Sequence, residues 1–332
     1  MQFIKILIFI LFIFSYTSSC FGFLDSVVLL GSWAYQKLSN NYCSKKDIPS
    51  DFKALRSLIK GKIFGQPLIE STVVNALRSH WDERSEPEKA LTISFHGGPG
   101  VGKNYVAKFI EQALYSQGIR SPNVHNFNAR LDFPKISEVD QYKKNLENWI
   151  SGNVSRCPKQ LFLFDEVNQM PPGILDALKP FIDHFDDVKG ISYKRAIFLF
   201  LSNTGSEIIN ENSYYLWSKG IKRNEIKLHF FEKLISQGSF NEKGGFQYSA
   251  TIKSNLIDHY IPFLPLMKSH VRMCIEEEFR KNFIPNPTEE QIQAVLDFID
   301  WGPEADNGVF AKTGCKRISQ KVRLLAVDDE EY

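Results

Sequence analysis

The chain has 332 residues, 43% hydrophobic and 13% aromatic, enough apolar material to bury a sizeable core in one large and one small domain, which excludes a disordered chain. Lys and Arg number 40 against 38 Asp and Glu, for a formal net charge of +2. No long basic stripe runs along the sequence, so DNA and RNA are discounted as partners.

Ile6 to Phe14 form an apolar run after Lys5, followed by small and polar residues from Ser15 to Gly22. This pattern predicts a secretory signal peptide over residues 1–22, cleaved near Cys20 to Gly22; the run is too short to span a bilayer comfortably. An apolar leader follows at 23–50. Its first part, Phe23 to Tyr35, contains Asp25 and Ser26 and reads equally as a membrane-surface segment or as a helix packed on the protein. Removal of Cys20 with the signal leaves Cys43, Cys157, Cys274 and Cys315. In an oxidising compartment four cysteines predict two disulfides, and the sequence alone permits three pairings. Asn153-Val154-Ser155 is a glycosylation acceptor, consistent with the secretory lumen. The chain ends Asp329-Glu330-Glu331-Tyr332 without a retention tetrapeptide, so residence in the endoplasmic reticulum calls for another anchor.

From residue 51 to 267 the pattern predicts a large α/β domain. Helices are expected over Asp51 to Ile59 and Leu68 to Glu83, the second started by Pro67 and striped by Leu68, Val73, Val74 and Leu77. Strands are expected at Leu91 to Phe95, Val124 to Ala129, Leu161 to Glu166 and Ala196 to Asn203. Between them lie helices at Lys103 to Gln117, Ser137 to Ile150, and Gly173 to Phe185, the last interrupted by Pro180. Strands alternating with helices signal a parallel sheet with helices on its faces. Residues 268–332 change to helices, at Lys268 to Lys281, Thr288 to Ile299 and a last one from Gly314-Cys315-Lys316, predicting a small helical lid.

The first strand runs into Gly97-Gly98-Pro99-Gly100-Val101-Gly102-Lys103-Asn104 and then a helix. That is the strand, loop, helix context of a phosphate-binding loop. Glycines let backbone N–H groups turn around phosphate oxygens, the helix N-terminus adds partial positive charge, and Lys103 reaches the outer phosphates. Asn104 stands where a Ser or Thr hydroxyl ordinarily ligates Mg²⁺, so its carboxamide is a candidate metal ligand, direct or through water, and points to weak or conditional hydrolysis. Leu161-Phe162-Leu163-Phe164-Asp165-Glu166 is a buried-strand run ending in two acids, at the strand end where open α/β sheets bind ligands. Asp165 is the candidate Mg²⁺ holder through its water shell, and Glu166 the candidate that polarises the attacking water. Asn203 ends the next hydrophobic strand and is placed to orient that water.

With these motifs the sequence resembles a torsin, a lumenal member of the AAA+ ATPases related to the Clp unfoldases. The resemblance covers essentially the whole mature chain. Its most specific parts are Gly102-Lys103-Asn104, Gly152-Asn153-Val154-Ser155, Phe200-Leu201-Ser202-Asn203, Pro262-Phe263-Leu264-Pro265-Leu266 and Gly314-Cys315-Lys316. It implies an AAA+ fold, ATP with Mg²⁺ as cofactors, and Lys316 as a second sensor reaching nucleotide phosphate from the lid. It also implies disulfides Cys43–Cys157 and Cys274–Cys315. Torsins lack a usable arginine finger, and membrane-spanning cofactors of the nuclear envelope and endoplasmic reticulum supply that arginine from their lumenal domains. The resemblance thus implies similar partners, a homo- or hetero-oligomer, and residence in the endoplasmic reticulum lumen including the perinuclear space. Arg223 lies in the region of a finger but carries no supporting signature. No aromatic-Gly pore-loop motif occurs between Asn128 and Tyr142, which argues against processive threading.

The leading expectation is therefore a cofactor-dependent ATPase that remodels protein or membrane assemblies. Its rival is a nucleotide-gated scaffold with negligible hydrolysis, favoured by Asn104 and the missing finger. A secreted nucleoside kinase is disfavoured, because Glu166 and Asn203 suit activation of water better than phosphorylation of an acceptor.

Overall fold

The computed structural model describes residues 42–303 and 308–328. The predicted signal peptide at 1–22 and the Phe23 to Tyr35 segment lie outside the described residues, as does most of the leader at 23–50. From Cys43 onward the chain forms one unit.

Helix α1 (Phe52–Lys62) starts where the Asp51 carboxylate accepts a bond from the Ala54 N–H, and it buries Leu55 and Ile59. Helix α2 (Ile69–His80) buries Val73, Val74 and Leu77 of the expected stripe, while Leu68 stands just before it and is half-buried; it stops three residues early at Trp81, whose indole donates to the Arg195 carbonyl. Strand β1 (Leu91–His96) feeds the glycine loop, and α3 (Lys103–Leu114) follows it. The predicted extension of α3 to Gln117 fails because Tyr115 takes an extended backbone and is fully buried. Strand β2 (Val124–Asn128) leads into the single turn α4 (Ala129–Asp132), then α5 (Val139–Val154) and β3 (Leu161–Asp165). The helix predicted over Gly173 to Phe185 is instead a 3-10 stretch, Ile174–Leu178, running into the short α6 (Lys179–Ile182). Pro180 explains the break: it has no N–H to donate and is accommodated in the first turn of α6.

Strand β4 (Ile197–Ser202) is followed by α7 (Ser206–Ser218), α8 (Glu232–Asn241), α9 (Ala250–Lys253) and β5 (His259–Pro262). Then come α10 (Lys268–Lys281), α11 (Glu289–Leu296), a two-residue antiparallel pair β6 (Trp301–Gly302) and β7 (Phe310–Ala311), and α12 (Ile318–Asp328). Thr288 caps α11 through the Gln291 N–H.

Among the described residues five strands make a parallel sheet in the order β2-β3-β4-β1-β5. Side chains alternate across it. Ile93, Phe95, Leu161, Leu163, Leu199 and Leu201 pack with α1, α2 and α3 on one side. On the other side Phe162, Phe164, Phe198 and Phe200 pack with Ile150 and Ile174. Stacked rings 5.1 Å apart at Phe162–Phe198 and 5.4 Å at Phe164–Phe200 tie β3 to β4. A sheet covered on both faces explains why these strands read as unbroken apolar runs. Register matters most for the site. His96 lies opposite Ser202 and Phe164 opposite Phe200, so Gly97, Asp165 and Asn203 leave the sheet along one edge.

Candidate functional site

That edge opens into a cleft of about 440 Å³, lined by the glycine loop, the ends of β3 and β4, and α10 with the start of α12. Gly97 has φ +153°, and a Cβ there would meet the Phe263 carbonyl at 2.5 Å, so the loop passes close under the β5 exit. Gly100 has φ +72° and would meet the Thr313 carbonyl at 2.2 Å. Its own carbonyl accepts the Cys315 N–H at 2.9 Å, which seats the lid directly on the phosphate loop. Gln66 staples the same region from below. Its buried amide donates to the carbonyls of Val101 and Leu264 and accepts the Leu264 N–H.

Lys103 is buried, with Nζ bonded to the carbonyls of Gly97 at 2.5 Å and Gly98 at 2.8 Å and to Asn203 Oδ1 at 2.8 Å. Burial pushes its pKa down to about 8, partly opposed by Asp165 and reinforced by the charge of Lys316. Asn104 donates its amide N–H to Asp165 Oδ2 at 2.9 Å, and Asp165 Oδ1 accepts the Glu166 N–H at 2.8 Å. Gly98, Pro99, Val101 and Gly102 complete the loop, Gly102 with φ +111° at the start of α3. The residues expected from sequence to bind phosphate and metal therefore lie together, and Asn203 meets the lysine expected to touch the outer phosphates. Lys316 lines the same cleft from the lid.

Glu166 sits in the left-handed region, φ +55°, which turns the chain into the 3-10 turn Val167–Gln169. Its carboxylate pairs with Arg130 Nε of α4 at 2.7 Å. Neither Arg130 nor Asn168, whose amide oxygen accepts the Asn203 N–H at 3.2 Å, was expected from sequence. Glu277 is a further unexpected cleft residue, buried and bonded by Lys62 and Arg280. The Arg280 pairing at i,i+3 on α10 was the one local signal available. Arg223 is not a free finger. Its Nε donates to the Gly65 carbonyl at 2.6 Å and a terminal nitrogen to the Pro265 carbonyl at 2.8 Å, holding the chain that enters the lid. Burial lowers its pKa to about 10.

Both cysteine pairs are bonded as the resemblance implied, Cys43–Cys157 with Cα atoms 5.5 Å apart and Cys274–Cys315 with Cα atoms 6.3 Å apart. The second lines the cleft. Asn153 lies in the last turn of α5, where its amide donates to the Trp149 carbonyl at 2.8 Å.

The residues fit a nucleoside triphosphate. The loop offers its backbone and Lys103 to phosphates, while Ile63, Phe64, Leu266, Cys274 and Ile318 give the cleft apolar lining suited to a base. They also fit Mg²⁺, since Asp165 supplies a carboxylate and Asn104 a carboxamide, and Mg²⁺ keeps several waters and phosphate oxygens in such sites.

Fold and cleft together define a nucleotide-binding AAA+ protein. The chain resembles the Hsp104–ADP complex of S. cerevisiae with a TM-score of 0.57 at 16% identity, covering 90% of this chain and 50% of that one. A closed-state reconstruction of Hsp104 with ATPγS and FITC casein gives 0.56 at 15% identity, covering 84% of this chain and 47% of that one. The chain thus spans about half of each Hsp104 chain, and at this identity the likeness shows the fold. A family model described as Torsin matches residues 37–164. A torsin-like protein of Caenorhabditis elegans is 36% identical over 286 residues, 85% of this chain and 79% of that protein. The chain belongs to the torsin family.

Proposed function

We propose that the protein hydrolyses ATP in the lumen of the endoplasmic reticulum and nuclear envelope, when the lumenal domain of a membrane-spanning partner supplies an arginine, and that it uses the cycle to remodel protein or membrane assemblies. The observation that carries this reading is the convergence of Lys103, Asp165, Glu166 and Asn203 at one sheet edge. Lys103 would offset phosphate charge, Asn203 would orient a water, and Glu166 would accept its proton. Mg²⁺ held at Asp165 and Asn104 would supply charge stabilisation on the phosphate oxygens. Among the described residues no arginine lines the cleft, and Arg130 and Arg223 are committed to the Glu166 carboxylate and to backbone carbonyls respectively. Both facts support an arginine given in trans, a contribution of about 10³- to 10⁵-fold in phosphoryl transfer. Phosphate release with and without a candidate lumenal domain tests this reading. Robust turnover by the isolated monomer would sink it.

A scaffold that binds nucleotide and scarcely hydrolyses it is the second reading. It is favoured by the Asn104 amide lying on Asp165 and by the Arg130 pairing of Glu166. An absence of stimulated turnover with every lumenal partner that binds would select it.

A further inference from the structure

At the exit of β1, His96 is fully buried in a cluster of hydroxyls and belongs to none of the roles above. Its Nδ1 lies 3.0 Å from the Thr204 carbonyl, and its Nε2 lies 2.7 Å from Ser94 Oγ. A carbonyl cannot donate, so Nδ1 carries the proton and Nε2 accepts from the Ser94 hydroxyl. Burial lowers the ring's pKa to about 4, so it stays neutral and keeps this tautomer near neutral pH.

The bonds lead to the residues that flank Asn203. Thr204 Oγ1 is 2.8 Å from Ser202 Oγ and 3.2 Å from Ser239 Oγ of α8. Ser239 Oγ also lies 3.3 Å from Nδ1. Glu242, just past α8, accepts the Gly205 N–H at 2.8 Å. Asn203 is exposed to the cleft, but the residues on either side are buried and bonded, so its reach toward Lys103 is set from behind. His96 is also the last strand residue before Gly97, whose carbonyl bonds Lys103.

We propose that His96 is a positioning residue of the phosphate site, fixing the Asn203 amide against Lys103 through Thr204 and tying that placement to α8 through Ser239. In a low-dielectric interior a fully satisfied cluster of this kind holds one geometry, since any member that turns away leaves a buried polar atom unpaired.

The inference rests on Asn203 meeting the γ-phosphate, and binding measurements test it without needing turnover. Affinities for fluorescent ATP and ADP would be compared in the full mature protein, His96→Phe, His96→Asn, Asn203→Ala and the His96→Phe, Asn203→Ala double variant, with melting temperature as a control. His96→Phe is expected to lower the ratio of ATP to ADP affinity about three- to tenfold, the range of one hydrogen bond. His96→Asn, whose amide can still donate to the Thr204 carbonyl, is expected to restore most of it. In the Asn203→Ala background His96→Phe is expected to add nothing, because it acts through that amide. Ser239→Ala carries the test if His96→Phe does not fold, with an expected fall of about two- to threefold. A lowered melting temperature with an unchanged ratio, or effects that add in the double variant, overturns the positioning role. If Asn203→Ala itself leaves the ratio unchanged, both this inference and the role of Asn203 fail. An Asn203 effect without one from His96 overturns the inference alone.

Discussion

The two walls of the cleft are built on different physical grounds. The sheet wall presents Asp165 and Asn203 from neighbouring strand ends, and Lys103 from the start of α3 beyond the β1 loop; parallel hydrogen-bond ladders and phenylalanines stacked across β3 and β4 set the strand spacing. Its polar side chains bond one another, Lys103 to Asn203 and Asn104 to Asp165. The lid wall presents Glu277 from helix α10 and Lys316 from the turn before α12, and Lys316 is exposed. It is held to the sheet wall by the Cys315 N–H on Gly100, the Ala311 N–H on Leu266 and the buried staples of Gln66 and Arg223. Val271, Ile275, Phe279, Ile318 and Val322 of the lid also share one apolar core with Phe95 and Val101, so the second wall packs on the first as well as bonding to it. The contrast gives the first wall the bonded polar set suited to phosphate chemistry and leaves the second with an exposed lysine facing the same cleft.

Four measurements bear on that division, from the largest effect to the smallest. Glu166→Gln is expected to cut partner-stimulated ATP turnover by about 10²- to 10⁴-fold while nucleotide stays bound, because Asp165 is left in place for the metal. Stimulated phosphate release at the wild-type rate would remove Glu166 from the chemistry. Lys103→Ala is expected to weaken ATP binding about 100-fold, since a charged partner of the phosphates is lost; calorimetric titration reads this, and retention of affinity would move phosphate binding to the lid.

The third measurement is pH dependence. Burial holds Lys103 at a pKa lowered to about 8, below its ordinary 10.5. Bound phosphates favour the ammonium, so binding takes up a proton once the pH exceeds about 8. Affinity is therefore expected to be flat below pH 8 and to fall above it, approaching about tenfold per pH unit while the bound lysine stays charged. A flat profile to pH 9.5 would mean that Lys103 keeps its charge without the help of phosphates.

The smallest effect belongs to the lid. Removing the Cys274–Cys315 bridge with a paired Ser substitution frees the turn that carries Lys316. The ratio of ATP to ADP affinity is expected to change by about threefold, less than 1 kcal/mol. The loss of folding stability is capped at roughly 4 kcal/mol by the chain-entropy model, and native strain would reduce it. A lowered melting temperature with an unchanged ratio would make the bridge a staple of the lid alone.

Sequence reading reached the first wall more fully than the second. Lys103, Asp165, Glu166 and Asn203 are legible because each is fixed by its immediate neighbours: a glycine run before a helix, or a polar residue ending a fully apolar strand. Residues whose roles depend on distant partners were not legible. Lys62 and Glu277 are 215 positions apart, Gln66 and Leu264 198, and His96 and Thr204 108. Helix ends fell between these cases. The start of α10 at Lys268 and the Thr288 cap of α11 are local, while Tyr115 ends α3 because the core takes its ring.

By itself the sequence determined the α/β alternation, the phosphate loop and the order of the polar strand ends. These follow from periodicity and from the conformational freedom of glycine, which act over a few residues. The tertiary structure alone decided that Arg223 is a staple and that Glu166 rests against Arg130. It also decided that the Asn104 amide lies on Asp165 and that the lid sits on the carbonyl of Gly100. Hydrogen bonds and ion pairs depend on ångström-scale separation and on burial, and both are set only when segments far apart in the chain are brought together.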